Sequence, residues 1–386
     1  MSAHLSTAPR LIRVMISLAA ACCLMAACTA APVSDPMADS TTIPAGSDYA
    51  AMQETIEDRI ASGSLNLSTI DAVLISVGGA TKVAHYRNGR KPEDALHVWS
   101  VTKSVTSALI GIAIDEKIIS GLDATLPELL PRYRKYLSAE EKSITLRQLM
   151  SMTAGFPPDD PAPFENIHRV FEQRTDPIPM ILTDGLDQPP GQAFSYSSRS
   201  AHLVTAVLRE ALVRADGNHR RTVLDYAREK LFDPLQIDSS GAREQRVLLT
   251  NAGYDRLTRF DWGTDAAGLH SGCCLLRLRP ADIIKFGELY LGGGSWHGKQ
   301  ILPSGWVEQT MAPNELNSQY GLMWWRGIDP HGHPTWIAQG FAGQLIAVVP
   351  AHRLVVVIGS VPTQDLALEG TDMWLWVSDV IVPALK

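Results

Sequence analysis

From Ser47 to Ser62 apolar residues recur at a spacing of four, Met52, Ile56 and Ile60, with acidic residues between them, which predicts an amphipathic helix. Ile70 to Val77 alternates and is β-branched, Gly78-Gly79 breaks it, and Lys82 to Tyr86 reads as the returning strand of a hairpin. Near the other end, Trp336 to Ala338, Leu345 to Val349 and Leu354 to Ser360 are short apolar runs separated by Gly or Pro turns and read as strands. Between these strand-rich ends, from about 104 to 290, the pattern is mostly helical, as in Ser104 to Ile114, Ala201 to Val213 and Ala281 to Leu291. Thr371 to Leu385 has the spacing of a last helix. Strands from both ends with helices between them predict an α+β fold: one sheet built from the two termini, flanked by helices, with a mostly helical region inserted in it. No internal repeat is visible.

The first residues follow a different rule. Arg10 and Arg13 precede an uncharged apolar run from Val14 to Ala27, the order of an export signal and too short to span a bilayer comfortably. The run ends Leu24-Met25-Ala26-Ala27-Cys28, which resembles a bacterial lipobox with Met25 where the pattern prefers Leu. That resemblance implies a lipoprotein signal over 1–27 and lipidation of Cys28; an ordinary cleavage near Ala30 or Ala31 is the alternative. Both place the protein outside the cytoplasm, periplasmic or at the cell surface of a bacterium, touching the membrane only through the anchor. Residues 28–46 are rich in Pro, Ser, Thr and Ala, as a flexible tether would be, and the domain is expected over 47–386.

Composition narrows the classes. With 45% hydrophobic and 19% charged residues in 386, the chain can bury a sizeable core. Its 34 basic and 41 acidic residues leave a net charge of −7, which offers no field for a phosphate backbone, and nucleic acid is not an expected partner. Five cysteines, three of them within the first 28 residues, are too few for a disulfide scaffold and form no CxxC pair for zinc.

Several common chemistries are missing: the chain has no GxSxG, GxxxxGK[ST], HExxH or GxGxxG. His331 and His333 could ligate a metal, but Pro330, Gly332 and Pro334 around them describe a hairpin loop, and no metal or cofactor is expected. What is present is Ser100-Val101-Thr102-Lys103 opening a strong helical pattern that runs to Ile114. A spacing of three on a helix puts the hydroxyl and the amine on one face, one turn apart. A helix N-terminus also favours a developing oxyanion. An N-cap serine and a surface lysine would give the same pattern, so the motif needs support from elsewhere in the chain.

That support is Phe194-Ser195-Tyr196-Ser197-Ser198 before a helix, then Ala338-Gln339-Gly340-Phe341-Ala342-Gly343-Gln344 opening a strand. Ser-x-x-Lys, Tyr-x-Ser and a glycine-rich strand start, in this order, resemble the penicillin-binding protein and serine β-lactamase superfamily, in particular its class C-like esterase and 6-aminohexanoate-dimer hydrolase branch. Ile144 to Gly155, Leu278 to Gly294 and Tyr320 to Trp325 carry the resemblance further, and it runs from about Asp48 to Pro383. It implies a β-lactamase-like fold and a serine hydrolase without metal or cofactor. Ser100 would be acylated, with Lys103 and Tyr196 as a coupled proton-transfer pair. The backbone N–H groups of Ser100 and Phe341 would form the oxyanion hole, and Ser198, Gln339, Gly340, Gly343 and Gln344 would line the substrate.

Two departures bear on substrate. The family's usual Lys-Thr-Gly on the third strand is replaced by Gln339-Gly340-Phe341, with no lysine between Lys299 and Lys386, and Ser198 stands where many relatives have Asn. Losing the cation that meets a substrate carboxylate favours a small ester or amide over a penicillin or a D-Ala-D-Ala peptide. A cell-wall D,D-peptidase or weak β-lactamase is the rival within the family, and a catalytically silent peptidoglycan-binding lipoprotein the rival outside it. Retention of Ser100, Lys103 and Tyr196 together speaks against silence. Cys273-Cys274 could be a strained vicinal disulfide or two small buried thiols.

Overall fold

A computed structural model of the chain describes residues 49–61, 67, 69–159, 169–241, 257–361 and 370–385. The expected signal, the expected lipidation position Cys28 and the expected tether lie outside them. Helix α1 spans Tyr49–Ala61, and Met52, Ile56 and Ile60 are buried along one side of it. Strand β1 (Ile70–Val77) turns through Gly78 and Gly79, with φ of 61° and 80°, into β2 (Ala80–Tyr86). Two successive residues at positive φ are what a two-residue hairpin with the right-handed strand twist requires, so this is where glycine is needed. At the far end of the chain, β8 (Trp325–Ile328), β9 (Pro334–Gly340), β10 (Gln344–Val349) and β11 (Leu354–Ser360) complete a six-stranded sheet in the order β2-β1-β11-β10-β9-β8, antiparallel at every pairing. The sheet is built from both termini, as the patterning predicts.

Its two faces are covered differently. Val73, Ile75 and Val77 of β1 face a core shared with α1 and with α6 (Gly370–Trp376), while Ala72 and Leu74 join the large core of the helical region. This double cover explains why every residue of β1 is buried, including the polar ones in its alternation. The single helix expected over Thr371–Leu385 is instead α6, then a π turn over Val377–Ile381 and a 3-10 turn over Val382–Ala384. Pro383 is the cause: it has no N–H for the carbonyl four residues back, and its ring would strike that carbonyl.

The inserted region centres on α2 (Val101–Asp115), whose residues from Val101 to Ala113 are all buried, so it is a core helix. Around it pack α3 (Leu146–Met150), α4 (Ser198–Asp216) and α5 (Pro280–Leu291). Two features were not legible in the patterning. A three-stranded sheet in the order β3-β5-β4 joins β3 (Leu96–His97), β4 (Asp261–Trp262) and β5 (Leu276–Leu278), and β6 (Ser295–Trp296) pairs with β7 (Lys299–Gln300) as a short hairpin. The β3-β5-β4 sheet matters to function because Val98 N–H donates to Leu276 O at 2.9 Å, which fixes the chain just before α2.

Candidate active site

The entry into α2 is a sharp turn. Trp99 takes φ of 48°, a left-handed value uncommon for a bulky residue, and Ser100 already has helical angles (φ −67°, ψ −8°) as the N-cap. Thr102 Oγ1 donates to Trp99 O at 2.6 Å and holds this conformation. One turn on, Lys103 is 1% exposed, and its Nζ donates to Ser100 Oγ at 3.0 Å, Ser198 Oγ at 3.0 Å and Cys273 O at 3.3 Å. All three hydrogens of the ammonium therefore have acceptors. Nζ also lies 4.7 Å from the centre of the Tyr196 ring, so the three residues that the resemblance names come together in one place.

Separate parts of the fold deliver each partner. Ser195 N–H donates to Met152 O at 2.7 Å and Ser195 Oγ to Phe156 O at 2.8 Å, which seats the loop carrying Tyr196 on the segment after α3. That helix is fixed by a capping box in which Thr145 Oγ1 accepts from Gln148 N–H and the Gln148 side chain accepts from Thr145 N–H. Ser104 Oγ and Ser107 Oγ on α2 donate to Met323 O and Leu322 O, both at 2.8 Å. They pin the segment bearing Tyr320 and Trp325. The Tyr196 ring stacks on Trp325 at 5.5 Å and meets Tyr320 edge-on at 6.0 Å, and Phe194 closes on Tyr320 at 5.3 Å. The result is an aromatic wall beside Ser100. Gly272 tucks against α4, where a Cβ would lie 2.1 Å from Ala201 O, and this brings the Cys273 carbonyl to Lys103.

The residue that sequence reasoning missed is Asp159. Its carboxylate accepts Ser198 N–H at 3.0 and 3.1 Å and Ser198 Oγ–H at 2.6 Å, while its own N–H donates to Tyr196 O at 2.9 Å. Ser198 therefore passes a hydrogen bond from Lys103 to a buried carboxylate. Asp159 lies in Pro157-Pro158-Asp159-Asp160-Pro161, where nothing local separates one aspartate from the next. Burial alone would lower the Lys103 ammonium; Tyr196, Cys273, Asp159 and Cys274 outweigh it and hold the group above its ordinary value. Replacing Asp159 by Asn keeps an acceptor for Ser198 but removes one of those charges. We expect kcat to fall by about ten- to a hundredfold, the worth of one charge-assisted hydrogen bond. KM should change little and the pH profile should shift; steady-state kinetics across pH tests this, and an unchanged profile would make Asp159 a structural group only.

Around the third strand the structure sorts the expected residues. Gly340 has no room for a side chain: a Cβ would sit 2.4 Å from Val98 O and 3.0 Å from Trp99 Cβ. The end of β9 is thus pressed against the turn that presents Ser100, and the Phe341 ring meets Trp99 at 5.2 Å. Gly343 follows with φ of 86°. Two expectations are corrected. Gln344 does not face substrate; it is 2% exposed, and its amide donates to Ser360 O at 2.6 Å and to Ser360 Oγ at 3.2 Å, inside the sheet. Gln339 shares a face of β9 with Ile337, which packs in the core of the terminal helices, because side chains alternate along a strand. The position turned toward the core of Val98 and Val101 is Ala338.

Cys273 and Cys274 are free thiols with sulfurs 3.1 Å apart, well beyond a bond of about 2.05 Å. Ser271 Oγ bridges them at 3.3 and 3.4 Å. Burial pushes the Cys273 thiol up, but its hydrogen bond with Cys274 and the Lys103 charge outweigh this and hold it below its ordinary value.

The profile of the family described as Beta-lactamase matches residues 69–365. No curated protein sequence matches. Among solved structures, the fold is similar to a Bacillus anthracis protein put forward as a 6-aminohexanoate-dimer hydrolase, 19% identical with a TM-score of 0.64, covering 86% of this chain and 81% of that one. It is also similar to a D-stereospecific amidohydrolase from Streptomyces sp., at 17% identity and a TM-score of 0.61 over 86% of this chain and 98% of that one. A penicillin-binding protein homologue from Caulobacter crescentus aligns at 16% identity and a TM-score of 0.61, over 89% of this chain and 99% of that one. The matched profile spans most of the chain and all of the site residues described above, so the chain belongs to the Beta-lactamase family and with it to the serine hydrolases.

Proposed function

We propose that the protein cleaves small, uncharged esters or amides through an acyl-enzyme on Ser100. The observation that carries this reading is the buried Lys103 ammonium, 3.0 Å from Ser100 Oγ and set against the Tyr196 ring. A lysine that is already protonated cannot take the serine proton. The base in this reading is therefore Tyr196 as a phenolate, with Lys103 as its counter-charge. Ser100 Oγ attacks the carbonyl carbon as its proton passes to Tyr196, and the oxyanion is met by the backbone N–H groups of Ser100 and Phe341. Collapse breaks the C–O or C–N bond, and Tyr196 gives the proton to the leaving group. Water then attacks the acyl carbon by the same route and frees Ser100.

Substrate class rests on the third strand and the aromatic wall. The third strand brings no cation to meet a substrate carboxylate, and the half-buried Phe194, Tyr196 and Trp325 offer an apolar surface. Two structural neighbours, one described as an amidohydrolase and one put forward as a 6-aminohexanoate-dimer hydrolase, agree with amide chemistry. The expected result is a kcat/KM for p-nitrophenyl butyrate at least about a hundredfold above that for a penicillin or nitrocefin, the usual cost of an unmet specific group. The opposite order would overturn the proposal in favour of a β-lactamase.

A further inference from the structure

At the opposite end of β9 from Phe341, three side chains from two separate turns converge. Asp329 follows β8 and His333 precedes β9, so both belong to the β8–β9 turn; His352 belongs to the turn between β10 and β11. Asp329 Oδ1 is held by the turn itself, accepting the N–H groups of His331 and His333, each at 2.8 Å. That leaves Oδ2 to the two rings, with His333 Nδ1 at 3.0 Å and His352 Nε2 at 2.7 Å. The three potential ligand atoms all lie within 4.8 Å of one another. The Asp329 side chain is fully buried, while His333 and His352 are 43% and 17% exposed and so open to an ion from solvent. The His331 ring centre is 6.2 Å from that of His333 and 5.8 Å from that of His352, near enough to add a fourth ligand by a side-chain rotation.

We infer that Asp329, His333 and His352 form a site for a divalent transition-metal ion, with Zn2+ as the class. Two imidazoles and one carboxylate are a nitrogen-rich set that suits Zn2+, Ni2+ or Cu2+ and not the oxygen-seeking Mg2+ or Ca2+. Oxygen–nitrogen separations of 2.7 and 3.0 Å are slightly shorter than the roughly 3.3 Å between neighbouring ligands of a tetrahedral zinc with bonds near 2.0 Å, so small outward ring movements admit the ion. In the present arrangement each ring nitrogen donates its proton to Oδ2. On binding, each coordinating ring nitrogen gives up its proton, to the other nitrogen of the ring or to solvent. The freed lone pairs and Oδ2 take the ion. Water or His331 completes the coordination. The hydrogen bonds that preset Oδ1 are the outer support such a ligand needs. β9 runs from this cluster to Gly340, roughly 20 Å at the usual rise per residue, so the site is separate from Ser100 and clamps two turns of the main sheet together.

The test is equilibrium dialysis of the full chain, purified without a histidine tag, against Zn2+, with bound metal counted by mass spectrometry. About one ion per chain is expected, with affinity falling at least about a hundredfold in a His333→Ala/His352→Ala double variant whose circular dichroism is unchanged. Co2+ should give visible bands of a tetrahedral nitrogen and oxygen set in the parent protein and not in the variant, and Zn2+ should raise the melting temperature of the parent alone. Asp329 is left intact because its loss would also open the turn. Equal zinc binding by parent and variant, or no binding by the folded parent, would overturn the site and leave the cluster as a hydrogen-bonded clasp.

Discussion

With Ser100→Ala, turnover of p-nitrophenyl butyrate should fall by at least about a thousandfold, because no other group can form the acyl-enzyme and only binding and oxyanion stabilisation remain. Fluorophosphonate labelling read by intact mass should show a single adduct on the parent and none on the variant. The fold should survive: Ser100 Oγ is one of three acceptors of Lys103, and Ser198 Oγ and Cys273 O remain in place. Unchanged melting beside lost turnover would separate chemistry from stability. An adduct that persists in the variant would place the nucleophile elsewhere. No adduct and no turnover from folded parent protein would favour a binding protein that has kept the cleft.

The nucleophile was readable because a helix converts sequence spacing into geometry. Ser100 and Lys103 meet wherever α2 forms, and its apolar residues make that helix unavoidable. Tyr196, 93 positions beyond Lys103, could be placed only by resemblance, since no periodicity links a loop to a helix so far away. The main sheet was legible for a similar reason: β1 is an alternating, β-branched stretch, β10 and β11 are short apolar runs, and the Gly78-Gly79 hairpin carries its own turn chemistry. Strands of two or three residues such as β3, β4 and β5 have too little pattern to register, although they set the approach to Ser100. Asp159 and His352 were hidden because their roles come from partners 39 and 23 positions away, brought near by packing alone. Gln344 was misread because a resemblance carries a motif's residues over without the direction of each side chain, whereas here it satisfies Ser360 inside the sheet. The general physical reason is that local chemistry is written in spacing, while the partner of a loop residue is written only in the fold.

Lys103→Met gives the second large effect and tells its catalytic role from its structural one. Methionine has nearly the same length and fills the same buried space, so packing is preserved, and the cost of burying an ion is relieved as its hydrogen bonds are lost. Stability should therefore change by only about 1 kcal/mol, a difference between two opposing terms. Activity should not be spared. Without the ammonium, nothing holds Tyr196 as a phenolate or orients Ser100 Oγ, and kcat should drop by about a thousandfold, in the range of lost acid–base catalysis. Lys103→Arg should not restore it, because a planar fork cannot direct three hydrogens at Ser100 Oγ, Ser198 Oγ and Cys273 O, which surround a compact ammonium. The sign of the pH dependence follows from the raised value in the fold. The contribution of Lys103 to stability is complete below its unfolded value of about 10.4 and is lost only as pH rises through the higher folded one. Parent activity should accordingly show no loss from Lys103 deprotonation near neutrality and should fall only at strongly alkaline pH. An alkaline limb already complete by pH 8, assigned to Lys103 by its absence in Lys103→Met, would mean the ammonium is not held as described and would return the base role to the lysine.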